Sequence, residues 1–111
     1  MPTAEVLIGY PGEPDNRKIA RESYNYALIN GNQENDGIEE SACLDPEIAY
    51  LFALNVLEGP SQLTREASCK SPIFAYWYAL KVDKEFNPLT YEAASHDPAC
   101  KILYDSQLKY E

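Results

Sequence analysis

Acid–base, thiol and metal chemistry would have to be built from few residues in this 111-residue chain: one histidine, His96; three cysteines, Cys43, Cys69 and Cys100; and a carboxylate row at Glu40, Glu66 and Glu92. A lone histidine cannot anchor a multi-histidine metal site. A zinc set of Cys69, His96, Cys100 and one carboxylate would use ligands that zinc accepts, but CxxC and HxxxH spacings are absent and Pro98 sets a helix break between His96 and Cys100. Neither a metal nor any other cofactor is expected. Cys43 and Cys69 are 26 residues apart and occupy the same place in a repeat described below. Equivalent positions on stacked helices lie roughly 8–10 Å apart, beyond the ~7 Å Cα reach of a disulfide, so both read as small, reduced core residues. A cysteine nucleophile needs a neighbouring base, yet His96 aligns with Lys70, one repeat beyond Cys69. Paired carboxylates can do acid–base work where they converge on a pocket; at a regular spacing of 26 they form a row instead. GxGxxG, GxxxxGK[ST], HExxH and GxSxG are all missing. The chain reads as a non-enzyme with no catalytic residue.

The elements that position these side chains follow from an internal repeat. Residues 46–71 and 72–97 align without a gap, with identities at Pro46/Pro72, Ala49/Ala75, Tyr50/Tyr76, Ala53/Ala79, Leu54/Leu80, Val56/Val82, Leu63/Leu89, Thr64/Thr90, Glu66/Glu92 and Ala67/Ala93. The register extends back through Tyr24, Tyr26, Ala27, Leu28, Asn35, Glu40, Ala42, Cys43 and Asp45, and forward through Pro98, Ile102, Tyr104 and Leu108.

Each unit carries two helix starts. Asp45-Pro46, Ser71-Pro72 and Asp97-Pro98 pair a capping side chain with a proline suited to the first helical position. Asn35, Ser61 and Asn87 cap a second, shorter helix. The apolar spacing predicts seven helices, at about 17–30, 36–44, 46–58, 62–70, 72–84, 88–96 and 98–110. One helix pair cannot bury its apolar face alone, but stacked pairs can. The expected fold is therefore all-α: a short α-solenoid of about three 26-residue helix-loop-helix repeats with a C-terminal capping helix. Ala27, Ala53 and Ala79 would let helices approach, and Tyr26, Phe52, Tyr78 and Tyr104 would fill the core beside them. Residues 1–15 form an extended N-terminal arm and 16–111 the helical repeat domain. The arm is read as lying against the first unit or forming a short strand.

The pattern A-Y-x-[YF]-A-L-x-V, a G-P loop, x-E-A and a new S/D-P is present as Ala49–Val56 and Ala75–Val82. It resembles short α-helical repeats of bacteriophage and bacterial proteins. The segment Asn87-Pro88-Leu89-Thr90 to Asp97-Pro98 is also similar to the leucine-rich variant repeat, another short-helix solenoid. Either resemblance implies an α-solenoid with an interaction role and transfers no catalytic residue.

Charge narrows the partners. Eighteen acidic against nine basic residues give a net charge of −9, a field that repels phosphate backbones and anionic lipid. Direct contact with nucleic acid or a membrane is not expected; a protein partner with a basic surface is. No apolar run approaches 18 residues, and Met1–Glu5 lacks the basic start of a signal peptide. The chain reads as cytoplasmic, in the host cytoplasm if it is phage-encoded.

On a helical wheel Leu51, Trp77 and Leu103 fall on the outer side of the long helices, edged by Tyr50 and Tyr76, with Asn25 in the same slot of the first unit. Such a row marks a protein contact, with the aromatics as anchors, unless the N-terminal arm or a second copy covers it; a homodimer is one such arrangement. Two functions follow. One is a non-enzymatic protein-protein interaction module, binding a host or phage protein through this helical ridge. The alternative is an acidic nucleic-acid mimic, with Glu40, Glu66 and Glu92 in its stripe, that inhibits a DNA- or RNA-binding protein such as a host defence nuclease.

Overall fold

The computed structural model describes residues 5–31 and 36–108 and is all-helical. Seven helices follow one another: α1 (Asp15–Asn30), α2 (Asp36–Ala42), α3 (Pro46–Leu51, continued by Phe52–Leu57), α4 (Gln62–Ser68), α5 (Pro72–Trp77, continued by Tyr78–Asp83), α6 (Pro88–Ala94) and α7 (Pro98–Gln107). Residues 46–71 and 72–97 run through the same elements at a constant offset of 26 residues. Each long helix packs on the short helix after it, α1 on α2, α3 on α4 and α5 on α6, and the long helices stack α1 on α3, α3 on α5 and α5 on α7.

The helix starts are where the capping chemistry puts them. The carboxylates of Asp45 and Asp97 accept from the Ile48 and Cys100 amides at 3.1 Å. Ser61 Oγ accepts from the Thr64 amide and Asn87 Oδ1 from the Leu89 amide. Ser71 makes no side-chain cap, and Asn35 lies outside the described residues. The short helices end two residues earlier than expected, and α7 ends at Gln107.

The second halves of α3 and α5 are wound as π-helix, with i to i−5 bonds. The Lys84 amide donates to the Ala79 carbonyl at 2.7 Å, and each segment stops at a left-handed residue, Glu58 (φ 57°) or Lys84 (φ 60°). Isolated π turns are rare and need local compensation. Here the winding recurs at the same place in both units, so it belongs to the repeat.

The alanine ladder is buried, at 2 % exposure for Ala27 and 0 % for Ala53 and Ala79, and so are Phe52, Tyr78 and Tyr104. Tyr26 departs from its expected core role: it is half-exposed, whereas Tyr24 is buried. The position of Tyr26 docks on the preceding unit in later repeats, and α1 has no preceding unit among the described residues. Tyr24 points the other way, and its hydroxyl accepts from Asn55 Nδ2 at 2.9 Å.

The arm forms no strand among its described residues. It is held to α1 by side chains. Asn25 Oδ1 accepts from the Leu7 amide and Asn25 Nδ2 donates to the Leu7 carbonyl, at 2.8 and 2.9 Å. Arg21 clasps the Glu13 carboxylate with two bonds of 2.9 Å. Gly9 passes beneath that guanidinium so closely that a Cβ would lie 2.6 Å from Arg21 Nη2.

Candidate partner-binding surface

The expected Leu51–Trp77–Leu103 ridge is only partly open. Leu103 is exposed. Leu51 is half-buried against the cluster built on Ala20, Tyr24, Ile48 and Phe52, which the arm residue Leu7 also joins. Trp77 is half-buried beside Tyr76, ring centroids 5.3 Å apart, with Lys81 Nζ 6.0 Å from its ring centre. Tyr76 is no edge of a surface row: it is buried, at 4 % exposure, and packs on Tyr104 of the next long helix at 6.4 Å. Tyr50 is half-buried and meets Phe74 in the same way at 6.1 Å. Both tyrosines face the following unit, so the stacking that builds the core removes them from the surface. Asn25 is not free either, since its amide holds Leu7.

The short helices present the more open face. Glu40, Glu66 and Glu92 are all exposed, one on each of α2, α4 and α6. Leu63 and Leu89, three residues before Glu66 and Glu92 and so on the same helical face, are 44 and 53 % exposed. Between α4 and α6 a groove of about 290 Å³ is lined by Glu66, Cys69, Leu89, Glu92, Ala93 and His96. Buried Ala93 and half-buried Cys69 form its inner part, and the exposed Glu66, Leu89, Glu92 and His96 form its rim. Two carboxylates beside an apolar wall suit a side chain with an apolar stem and a cationic head. Leu63 and Leu89 were visible as a ladder in the repeat; their share in this surface follows only once the short helices are seen to stand side by side.

The groove brings Cys69 and His96 together but leaves out Cys100, which α7 buries in the cluster with Ala75 and Tyr76. Among the described residues no group of three or more His, Cys, Asp and Glu side chains is placed to hold a metal ion. The cysteines are free. Burial, reinforced by Glu39, pushes the Cys43 thiol up to about 12, and burial takes Cys69 and Cys100 to about 11. These are protonated thiols at neutral pH, the reverse of the lowered values that activate a nucleophile.

Three arginines are spent on internal ion pairs. Arg17 binds Asp45 and Glu47 at 3.0 and 2.9 Å, Arg21 binds Glu13, and Arg65 on α4 binds the 3 %-exposed carboxylate of Asp83 at the end of α5. The α2–α4–α6 face keeps its row of carboxylates outside these pairs. No helix among the described residues is long and apolar enough to cross a membrane. Comparison with known proteins finds no matching family model, no matching curated protein and no matching solved structure.

Proposed function

We propose that this chain is a non-enzymatic protein-binding module, a short α-solenoid of three 26-residue repeats closed by α7, and that it engages its partner through the α2–α4–α6 face. The observation that carries this reading is the groove between α4 and α6, where the exposed Glu66 and Glu92 flank Leu89 and Ala93. A lysine or arginine of the partner enters that groove, its stem on Leu89 and Ala93 and its head between the carboxylates. Glu40 and Leu63 extend the contact by one unit. In this reading Leu103, with the half-buried Trp77 and Leu51, contributes support and a flank rather than the centre. In the phage setting that the repeat motif implies, the partner is a host or phage protein.

Affinity capture by the immobilised chain, repeated with a Leu89→Arg/Glu92→Lys variant, tests the reading. Both positions are exposed, so helical content should be unchanged while the captured protein is lost. A Trp77→Ala chain should retain it. Capture that survives the groove variant and fails with Trp77→Ala would return the binding site to the long-helix row.

A second reading, acidic mimicry of nucleic acid, is favoured by one observation: Arg17, Arg21 and Arg65 are neutralised internally while the Glu40, Glu66 and Glu92 row stays exposed. The inhibited protein would then be one that binds DNA or RNA. Affinity would fall steeply with salt, because binding would replace the counterion exchange that nucleic acid itself undergoes, and nucleic acid would compete. Binding that weakens only modestly with salt and is not competed by nucleic acid removes this reading and leaves the groove contact, one cationic side chain on an apolar wall, in place.

A further inference from the structure

The face of α1 turned away from α3 carries exposed apolar side chains, and α1 is the first helix among the described residues; end units of a stacked array are ordinarily polar there. Ile19, Tyr26 and Ile29 are 44, 52 and 72 % exposed. Together with Asp15 and Glu22 they fall at spacings of 4, 3, 4 and 3 residues, the seam of a two-helix coiled coil. At the position equivalent to Tyr26, Phe52, Tyr78 and Tyr104 are fully buried. At that position the long helix packs in every later unit, whereas among the described residues α1 leaves it open.

We propose that this seam is a homodimer interface, in which α1 packs antiparallel on α1 of a second copy about a two-fold axis beside Tyr24. The second copy is chosen because the seam is complementary to itself reversed. The register that sets Ile19 against Ile29 of the second copy also sets Glu22 against its Tyr26, since both pairs are centred on residue 24. The layers formed by Ile19, Glu22, Tyr26 and Ile29 are then satisfied: isoleucine meets isoleucine, and a phenol donates to a carboxylate, twice over by symmetry. A parallel pair would instead oppose Glu22 to Glu22 within an apolar seam, which like-charge repulsion and desolvation disfavour. Two copies of charge −9 also repel over the rest of their surface, so added salt, which screens that repulsion, strengthens the dimer. This surface is separate from the α4–α6 groove, where salt acts in the opposite sense.

Sedimentation of the intact chain from micromolar to millimolar concentration tests the proposal. The expected result is a concentration-dependent shift from 12.5 kDa to twice that mass, favoured by salt. Ile29→Glu and Ile19→Lys, both on exposed positions, each weaken the dimer at least about tenfold, the cost of about 1.4 kcal/mol in an association constant. The double variant sets lysine against glutamate in the antiparallel register and recovers association. A chain that stays monomeric throughout, a dimer indifferent to both single substitutions, or a double variant no better than the singles would each overturn it. Circular dichroism on every variant establishes that α1 remains folded.

Discussion

The hydroxyl of Tyr78 lies 2.7 Å from that of Thr64, and this pair ties α5 to the start of α4. The same phenol accepts from the Ser61 amide at 3.0 Å and reaches the Ser61 carbonyl at 3.1 Å. One repeat later Tyr104 holds Thr90 and Asn87 at 2.7, 3.0 and 3.1 Å. At the first junction the equivalent residues are Phe52 and Ile38, and Ile38 packs against the cluster that contains Phe52. Hydroxyl pairs with hydroxyl and hydrocarbon with hydrocarbon, so each junction satisfies its own buried groups.

Tyr78→Phe should therefore destabilise the chain by about 1–3 kcal/mol, because the Ser61 amide and the Thr64 hydroxyl lose a buried partner. Adding Thr64→Val should cost less than the sum of the two single changes, with a coupling of about 1 kcal/mol, since the pair then copies Phe52 and Ile38 in character. Urea unfolding of the four proteins measures this. Strict additivity would show that the two hydroxyls do not act together.

The arm should come off α1 in acid. Its bond to Arg21 lowers the Glu13 pKa below the ordinary 4.5. A carboxylate with a depressed folded pKa contributes stability above its unfolded pKa and loses it as pH falls through the folded one. Hydrogen exchange at the Leu7 amide, bonded to Asn25 at 2.8 Å, should accordingly rise as pH drops below 4.5, after correction for the intrinsic rate. Gly9→Ala should give the same release at neutral pH, because its Cβ displaces the Arg21 guanidinium. Protection that persists under both conditions would mean that Leu7 packing alone holds the arm.

The thiols should be slow to react. With Cys43 near 12 and Cys69 and Cys100 near 11 against an ordinary 9.0, the folded chain holds little thiolate at pH 8. Ellman's reagent should label it far more slowly than the urea-unfolded chain. These raised values also remove stability as pH climbs through 9, where the unfolded thiols ionise first. A fast-reacting cysteine in the folded chain, most informatively Cys69 in the groove, would reopen thiol chemistry there.

The helices and their starts were legible because capping and proline signals are local: Asp45-Pro46, Ser61, Asn87-Pro88 and Asp97-Pro98 mark helix starts whatever surrounds them. What lay hidden depends on contacts between units. Tyr26 and Tyr24 share one helix and one residue type, but the following unit buries Tyr24, whereas Tyr26 meets no preceding unit among the described residues. Tyr76 reads as a surface edge on an ideal wheel, yet the next unit packs over it. The π winding of Phe52–Leu57 and Tyr78–Asp83 carries no residue signature and spoils a fixed 100° wheel through Asn55 and Lys81. The Glu66 and Glu92 row was visible as a spacing; the groove beside it appears only when α4 and α6 stand at a definite separation.

Two deletions of equal length test most directly whether the units are interchangeable blocks carrying one continuous face. Removing residues 72–97 joins Ser71 to Pro98 and sets Tyr104 against Thr64 and Ser61, a hydroxyl junction like those already in the chain. Removing residues 46–71 instead sets Tyr78 against Ile38, whose side chain offers no hydroxyl in place of that of Thr64. Thermal unfolding followed by circular dichroism should show both shortened chains helical, with the first melting several degrees higher, as expected of about 1–2 kcal/mol in a chain this small. Equal melting temperatures, or a chain without residues 72–97 that does not fold, would contradict the stacking of like units that we propose and on which the proposed binding face depends.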